Sequence, residues 1–483
     1  MQYTTILRIL GMLLMIFSLT MVPPLLVESW YADGTISSFY LSFLASFGLG
    51  FITWFPFRHK AQDLRTRDGF LVVVLFWLAL SFVGALPFYW SPYPNISFTD
   101  AFFESVSGIT TTGSTVLTGL DHLPHAILYY RQQLQFLGGI GIIILAVAVL
   151  PMLGVGGMQL FKAEFTGPSK DNKLTPRIKE TAKAIWFIYV GMAILCALSF
   201  RLGGMSLFDA ICYSFGTVST GGFAPHDASM AFYPSPFLKI ISMIFMFLGA
   251  VSFHLHFMAI RRQKIGLYSN DPELWLFIKI MLTAFALVWT ALVFWELHLE
   301  TDNLLLDVLF EVVSLSTTSG LSTIDFSLWP SFIPLLLLFC GVIGGCAGST
   351  SGGFKVIRLL LLQKQGAREI RRLVHPRGQY VIKISGKAVS PRVIEAIWGF
   401  LAMYITSFTI LFLIMLTSES DFLTSYSALI ATFSNIGPGL GQVAQNFSSL
   451  SDFSKWVLSF AMLVGRLEIF TVLVLFSPVF WRG

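Results

Sequence analysis

The stretch FTDAFFESVSGITTTG, residues 98–113, places a polar cluster between two long apolar runs. It consists of an aspartate, about ten mostly apolar residues, a few hydroxyl residues and finally Gly113. Three more stretches share this layout, each with a glycine thirteen residues after a polar residue. They are LFDAICYSFGTVSTGG (207–222), LLDVLFEVVSLSTTSG (305–320) and FLTSYSALIATFSNIG (422–437). The recurrence indicates that the chain contains one structural unit four times.

The composition is typical of a membrane protein. The chain of 483 residues is 55% hydrophobic and 12% charged, and its mean hydropathy is +0.75. Soluble domains carry about 25% charged residues. The four cysteines lie in apolar or glycine-rich runs without a CxxC pair, so they indicate neither a zinc site nor a disulfide framework. We therefore expect an all-α polytopic membrane protein.

Ten apolar runs are long enough, or nearly so, to cross the hydrocarbon, which takes about 20 helical residues. The runs are 7–27, 37–57, 69–91, 132–154, 183–200, 236–260, 274–297, 332–362, 393–417 and 455–479. Most of the 31 lysines and arginines lie near 58–67, 162–183, 261–264 and 355–392. Since loops rich in Lys and Arg stay inside, these loops and the N-terminus are predicted to be cytoplasmic.

Each repeated stretch lies between two of these runs. Its apolar part is too short to span the bilayer and fits a re-entrant pore helix, which enters the membrane and turns back. We expect Asp100, Asp209, Asp307 and Thr424 to be the N-caps of these helices. The predicted units are an extra N-terminal helix pair (1–66), pore repeat 1 (67–160), pore repeat 2 (175–265), pore repeat 3 with a broken second span (271–365), a basic cytoplasmic connection (366–391) and pore repeat 4 (392–483).

The four polar segments have a common physical interpretation. Arranged about one axis, they would form a ring of backbone carbonyls, which replace the hydration shell of a cation in potassium channels. The glycine allows the backbone to curve at positive φ. One copy of TTTG favours a packed turn of small residues, whereas four copies at the same offset favour a cation pore with pseudo-fourfold symmetry.

The repeats, the extra N-terminal spans, GGCAGSTSGG (344–353) and VGRLEIF (464–470) resemble the Trk/Ktr/HKT superfamily of cation transporters over essentially the whole chain. Within it, the resemblance points to the membrane subunits of bacterial Trk potassium uptake. It implies a homodimer in the bacterial inner membrane with one pore in each protomer. It also implies K⁺ as the bound and transported ion, and a cytosolic nucleotide-binding regulatory subunit with RCK-type domains. Neither an organic cofactor nor a nucleic-acid partner is expected.

Carried over to matching positions, the resemblance assigns a selectivity filter to three residues in each of four loops. They are Thr111, Thr112 and Gly113 (loop 1), Thr220, Gly221 and Gly222 (loop 2), Thr318, Ser319 and Gly320 (loop 3), and Asn435, Ile436 and Gly437 (loop 4). None of the loops has the TVGYG of tetrameric potassium channels, and loop 4 has asparagine for threonine. We therefore expect fewer ion sites and looser discrimination of K⁺ from Na⁺, with Rb⁺ accepted.

Residues 344–353, the glycine-rich segment, interrupt the run 332–362 with small residues that do not hold a straight helix. The resemblance implies a gate beneath the filter, and a close-packed helix crossing is the alternative. The candidate gating residues are Gly344, Gly345, Gly348, Ser349, Thr350, Ser351, Gly352, Gly353 and Arg466. An arginine at the centre of a span costs about 2.5–3.5 kcal/mol. We expect Arg466 to bond the glycine-rich segment and to act as an electrostatic barrier.

Two acidic residues, Glu104 and Glu311, occupy matching positions in the first and third pore helices. Two roles remain open for them. They could lend negative potential to an outer cation funnel, or they could hydrogen-bond neighbouring backbone.

The sequence thus predicts a channel-like potassium uptake protein, gated by an intramembrane loop and a cytosolic partner. The alternative is a secondary potassium symporter, coupled to H⁺ or Na⁺ by alternating access. Symporter sites often lie between inverted repeats, whereas these four units run in the same direction. No nucleotide-binding motif, HExxH or GxSxG occurs, so neither an ATP-driven pump nor an intramembrane enzyme is indicated.

Overall fold

The structure is a computed structural model that describes residues 1–59, 66–144, 175–295, 303–330, 332–418 and 420–482. These residues are mainly α-helical, and the sheet found among them is one antiparallel hairpin. The elements before the first loop are α1 (Tyr3–Ser18), α2 (Val22–Tyr31), α3 (Ile36–Trp54), α4 (Thr66–Trp90) and α5 (Phe98–Ile109). The helices between the first and the second loop are α6 (His125–Ile144), α7 (Thr175–Leu202) and α8 (Leu207–Val218).

The second half continues the same alternation of long and short helices. Up to the third loop the elements are α9 (Pro236–Ala250), α10 (Phe253–Arg262), α11 (Gly266–Ser269), α12 (Pro272–Phe294) and α13 (Leu304–Ser316). The remaining elements are α14 (Phe332–Ile343), α15 (Val356–Val374), β1 (Lys383–Ile384), β2 (Lys387–Ala388), α16 (Pro391–Met415), α17 (Phe422–Phe433), α18 (Asp452–Arg466), α19 (Ile469–Leu473) and α20 (Pro478–Arg482).

Among the residues that the structure describes, six uninterrupted helical stretches are long and apolar enough to cross a membrane. They are Tyr3–Tyr31, Ile36–Phe57, Arg67–Trp90, Glu180–Leu202, Pro272–Phe294 and Pro391–Met415. Each coincides with a predicted run, so the chain is a multi-pass membrane protein. The predicted run 132–154 is helical up to Ile144, and its remainder lies outside the described residues. The basic loop predicted at 162–183 is described only from residue 175.

Two of the predicted spans, 236–260 and 455–479, are bent helix pairs in the described part of the chain and not straight helices. The axes of α9 and α10 differ by 94°, and those of α18 and the stretch Ile469–Phe476 differ by 113°. Arg466 therefore lies at the end of a helix and not in the middle of one. The run 332–362 is broken as predicted, since α14 ends at Ile343 and α15 begins at Val356.

The glycine-rich segment explains the bend between α9 and α10. The N–H of Cys346 donates to the carbonyl of Ala250 at 2.9 Å, and the N–H of Phe253 donates to the carbonyl of Gly348 at 3.0 Å. Backbone groups freed by the two breaks therefore satisfy each other. Non-helical backbone at membrane depth is tolerated where the protein supplies such partners. Hydropathy alone does not reveal this pairing.

The short helices α5, α8, α13 and α17 have 12 or 13 residues each, as expected for re-entrant helices. The predicted N-caps Asp100, Asp209, Asp307 and Thr424 were wrong, because the helices begin earlier. The N-cap residues are Ser97, Ser206, Asn303 and Asp421.

The first of these helices shows why its N-cap lies earlier. The Ser97 hydroxyl accepts from the N–H of Asp100 at 3.1 Å and also bonds its carboxylate. The serine therefore caps the helix, and the acidic residue lies in its first turn.

Candidate ion-binding site

Each re-entrant helix ends in the same backbone motif. In loop 1 the N–H of Thr112 donates to the carbonyl of Ser107 at 2.9 Å, and the N–H of Thr111 donates to the carbonyl of Gly108 at 3.0 Å. The equivalent pair of bonds recurs in loops 2, 3 and 4. This pattern is the Schellman motif, which requires a residue in the left-handed region directly after the helix.

Glycine usually occupies that left-handed position, but this chain has other residues there. Thr111, Thr220, Thr318 and Asn435 have φ values of 52°, 49°, 55° and 52°. A β-branched residue at positive φ is a genuine outlier. Such strain costs about 1–3 kcal/mol and persists where the surroundings over-determine the backbone. The sequence pattern predicted positive φ for the loop glycines and did not predict it here.

The loop glycines show that the four loops form a closed ring. Their φ values are 86° for Gly113, 84° for Gly222, 75° for Gly320 and 106° for Gly437, all positive as predicted. A Cβ atom added to any of them would lie under 3.0 Å from a backbone oxygen of another loop. The contacts run from Gly113 to the oxygen of Gly221, from Gly222 to that of Ser319, from Gly320 to that of Ile436 and from Gly437 to that of Thr112. Each loop thus touches the next, and loop 4 returns to loop 1.

The backbone oxygens of this ring have few hydrogen-bond donors. Gly221 accepts from the Gln135 side chain at 2.5 Å, and Gly437 accepts from the Ser114 hydroxyl at 2.7 Å. Within the described part of the chain, the other carbonyls of the twelve loop residues meet no donor. Buried carbonyls nearly always have a hydrogen-bond partner. Carbonyl oxygens that lack one are candidates to coordinate a cation instead.

Asn435 links two of the loops, which accounts for its presence where the other loops have threonine. Its side-chain amide donates to the Thr112 hydroxyl at 2.7 Å and to the carbonyl of Met462 in α18 at 3.2 Å. The Thr112 hydroxyl also bonds that of Thr110 at 2.7 Å. Loop 4 is thereby tied to loop 1 by a side chain as well as by close backbone contact.

The glycine-rich segment lies against the ring. The hydroxyls of Thr220 and Thr350 are 3.1 Å apart. The N–H of Gly352 donates to the Thr318 hydroxyl at 2.6 Å. The N–H of Gly353 donates at 2.9 Å to the carbonyl of Ser434, the residue before loop 4. The segment is therefore fastened to three of the four loops or their immediate neighbours.

The candidate gating residue Arg466 is buried and bonds this segment, as the sequence predicts. Its Nη1 donates to the carbonyl oxygen of Thr350 at 2.8 Å. Its Nε and Nη2 atoms are buried and have no hydrogen-bond partner among the described residues. Two residues on, Glu468 forms an ion pair with Arg358 of α15. The bend after α18 is therefore connected both to the glycine-rich segment and to the helix that follows it.

Comparison with known proteins agrees with this architecture. Residues 35–482 match the model of the TrkH family, described as a cation transport protein. The chain belongs to the TrkH family. It is 50% identical to the Trk system potassium uptake protein TrkH of Vibrio parahaemolyticus and 48% identical to that of Escherichia coli K12, in each case over 100% of both chains. It is 40% identical to the Trk system potassium uptake protein TrkG of E. coli K12, over 98% of this chain and 97% of TrkG.

A solved structure supports the same family assignment. The crystal structure of the potassium transporter TrkH from V. parahaemolyticus matches this TrkH-family chain with a TM-score of 0.91 and 48% identity, covering 100% of both chains. The superfamily expected from the sequence is confirmed, and so is the polytopic helical membrane fold. The relatives are named as transport proteins.

In this TrkH-family chain, the two matching glutamates bond backbone, which was one of the two roles left open. Glu104 accepts from the N–H of Val116 at 3.0 Å, and Glu311 accepts from the N–H of Thr323 at 2.7 Å. Both side chains are fully buried. Glu104 also forms an ion pair with Arg131 at 2.7 Å. Each glutamate thus anchors the chain that follows its own loop.

The sequence did not predict the ion pairs that join neighbouring repeats. Lys455 contacts Asp100 at 2.6 Å, and Lys239 contacts Asp307 at 2.5 Å. Each pair joins the first turn of a re-entrant helix to the long helix after another loop. A signal was present, since Arg131, Lys239 and Lys455 follow their loop glycines by 17 or 18 residues. Asp100 and Asp307, two of the residues predicted as N-caps, therefore join neighbouring repeats instead.

Proposed function

We propose that this chain is a channel-like potassium uptake protein in which K⁺ passes through the ring of loops 1–4. The observation that carries the proposal is a closed ring of backbone whose carbonyls mostly meet no donor within the described part of the chain. Carbonyl oxygens of this kind replace the hydration shell of K⁺. The relatives named as potassium uptake proteins support K⁺ as the ion. K⁺ is here the transported substrate, and Rb⁺ is expected to follow it.

The re-entrant helices favour a cation in the ring. Their C-terminal ends lie at the loops, and the C-terminus of a helix carries a partial negative charge equivalent to about half an electron. Four such ends lower the electrostatic energy of a cation without placing a carboxylate in its path. Asparagine, isoleucine and an engaged carbonyl at Gly221 make the four loops unequal, which supports the looser selectivity expected from the sequence.

The gate in this proposal consists of the glycine-rich segment and Arg466. Hydrogen bonds hold the segment against loops 2 and 3 and the residue before loop 4, where it obstructs the path of an ion leaving the ring. Arg466 adds a positive charge with two donors that have no partner in the described chain. Since a buried cation repels K⁺, release of this arginine and this segment opens the path.

The basic connection 366–391 is the proposed docking site for a cytosolic, nucleotide-binding subunit with RCK-type domains. Helix α15 begins next to the glycine-rich segment and runs without interruption to Val374, so it includes the first part of this connection. A partner that moves the end of α15 would therefore act on the gate. The word "system" in the relatives' names supports such a partner. The proposal includes a homodimer in the bacterial inner membrane, a cytoplasmic N-terminus and the repeat boundaries predicted above.

A flux assay separates this proposal from a secondary symporter. The purified chain is placed in proteoliposomes, and uptake of radioactive Rb⁺ is driven by a membrane potential without a gradient of H⁺ or Na⁺. We expect uptake, and we expect Gly113→Ser to abolish it because its Cβ would meet the backbone oxygen of Gly221. Uptake that requires a gradient of H⁺ or Na⁺ would favour the symporter. No uptake under any gradient, with or without the cytosolic partner, would refute a pore.

A further inference from the structure

Loop 2 differs from the other loops at its middle position. That position holds Thr112 in loop 1, Ser319 in loop 3 and Ile436 in loop 4, but Gly221 in loop 2. The φ angle of Gly221 is not positive, unlike that of Gly222. Backbone conformation therefore does not require a glycine there, and the reason lies in what packs against it.

The side chain of Gln135, from α6, occupies the space that a side chain at residue 221 would take. A Cβ atom added to Gly221 would lie 2.5 Å from the Cδ and Oε1 atoms of Gln135 and 2.9 Å from its Nε2. Gln135 is fully buried. Repeat 1 thus supplies to loop 2 the side chain that loop 2 lacks.

The amide of Gln135 binds loop 2 on both sides of its last glycine. Its Nε2 donates to the carbonyl of Gly221 at 2.5 Å, and its Oε1 accepts from the N–H of Phe223 at 3.1 Å. The reverse orientation of the amide would set oxygen against oxygen and N–H against N–H, so this orientation is the one that satisfies both groups. Gly222 is braced between two hydrogen bonds.

We propose that Gln135 is a specificity-determining residue of the ion-binding ring. It holds the Gly221 carbonyl with an N–H donor, so this oxygen presents less negative charge to an ion than the middle carbonyls of the other loops. It also prevents loop 2 from shifting to fit a smaller ion. This inference rests on the proposed function, since it assigns a role within the same ring.

The direct test is Gln135→Met, which keeps the length of the side chain and removes both hydrogen bonds. A buried amide–carbonyl bond has a net effect of roughly three- to tenfold on an equilibrium. We expect the ratio of Rb⁺ to Na⁺ flux in proteoliposomes to fall by about that factor. The matched control is Gln133→Met on the same helix, whose amide donates to the carbonyl of Thr20 at 2.6 Å. It should leave the flux ratio at the wild-type value.

A pair of variants at residues 135 and 221 tests whether the Gln135 amide takes the place of a side chain at the middle position of loop 2. Gly221→Ser alone should lower both the melting temperature and the flux, because its Cβ collides with the amide of Gln135. The double variant Gln135→Ala/Gly221→Ser gives loop 2 the layout of loop 3, with its own serine. We expect the double variant to regain at least about tenfold of the flux lost by Gly221→Ser, as for neighbouring residues that couple.

The outcomes distinguish this inference from the proposed function. The inference is overturned if the effects of the two substitutions are additive. The double variant would then be no better than Gly221→Ser in melting temperature or flux. The inference is also overturned if the double variant regains the wild-type melting temperature while Gln135→Met leaves the ratio of Rb⁺ to Na⁺ flux unchanged. The role of Gln135 would then be structural only. If the wild type conducts no ion, the proposed function fails and the specificity role fails with it. Coupled melting temperatures would in that case still show that Gln135 packs against loop 2.

Discussion

The guanidinium of Arg466 donates a hydrogen bond to the backbone carbonyl of Thr350, at 2.8 Å, although 116 residues separate them. This bond joins the bend after α18 to the glycine-rich segment. Both residues are buried. A charged donor and its acceptor thus lie next to the loops that form the ring, where the proposed gate is located.

Replacing Arg466 tests its role as a barrier. We expect Arg466→Ala to raise Rb⁺ flux in the absence of the cytosolic partner by about tenfold or more. It removes a positive charge and a charge-assisted hydrogen bond worth about 1.5–3 kcal/mol. The measurement is tracer uptake into proteoliposomes. Arg201→Ala is the control, since Arg201 is exposed and bonds the carbonyl of Met205. Unchanged flux with unchanged dependence on the partner would eliminate the barrier.

A methyl group in the ring should block transport. Gly320 has a φ of 75°, and its added Cβ would lie 2.9 Å from the Cδ of Pro438 and closer still to the oxygen of Ile436. We expect Gly320→Ala to abolish Rb⁺ uptake and to destabilise the protein by about 1 kcal/mol or more. Gly191→Ala in α7 is the control, because nothing lies within 4 Å of its added Cβ. Normal uptake by Gly320→Ala would contradict the closed ring.

Glu273, at the start of α12, joins the glycine-rich segment to the first turn of α15. Its Oε1 accepts from the N–H of Ala347 at 2.7 Å and from the N–H of Ile357 at 3.1 Å. Glu273→Ala leaves two buried donors without an acceptor, at a cost of about 1–3 kcal/mol each. We expect a lower melting temperature and faster amide exchange in the segment.

Two variants serve as comparisons for this prediction. Glu273→Gln keeps a carbonyl oxygen that can accept both bonds, so its effect should be smaller than that of the alanine. Glu395→Ala removes an exposed glutamate of α16 and should change stability by less than about 0.5 kcal/mol. Equal melting of Glu273→Ala and the wild type would show that the segment does not depend on this carboxylate.

Glu104 and Arg131 form a buried ion pair, and removing either partner alone should destabilise the protein strongly. Glu104→Gln leaves the Arg131 guanidinium buried without its counter-charge, which costs about 3–5 kcal/mol. Adding Arg131→Met should recover part of that loss, as thermal melting would show. The control is Glu369→Gln, because its pair with Arg372 is exposed and worth at most about 1 kcal/mol. A double variant no more stable than Glu104→Gln would contradict this account.

Stability should depend on pH through His226, in the chain between loop 2 and α9. Its ring nitrogens face Asp121 at 2.5 Å and Asp209 at 3.3 Å. Burial lowers the pKa of His226, but its contacts with the carboxylates of Asp209 and Asp121 outweigh burial and raise the pKa above its ordinary 6.5. Because the folded pKa is the higher one, the stabilisation is complete below pH 6.5 and is lost as pH rises through the folded pKa.

Melting curves between acidic and alkaline pH check this sign. The wild type should exceed His226→Gln in melting temperature most clearly at low pH, and the difference should shrink as the pH rises. His122→Gln, at an exposed histidine, is the control and should follow the wild type. A difference that grows with pH would show that His226 is neutral in the folded protein.

Local chemistry was sufficient for several features of this chain. Composition established the membrane class, because lipid excludes most charged residues. The thirteen-residue offset located the four loops, since a helix end and the turn after it depend on neighbouring residues. Glycine at positive φ followed from the absence of a Cβ at positions such as Gly113. The N-caps were also local, and they were misassigned because the capping serine, such as Ser97, precedes the aspartate by three residues.

Only the tertiary structure decided which distant groups meet. Hydropathy records how apolar a run is and not which carbonyl pairs with which N–H, so it could not predict the bend that Cys346 and Gly348 stabilise. Likewise, TGG in loop 2 gives no reason for its first glycine until Gln135, 86 residues earlier in the chain, is seen beside it. The sequence by itself determined four loops of one kind. The structure determined that each touches the next, because closing the ring brings together the backbone of Thr112 and Gly437, which are 325 residues apart in the chain.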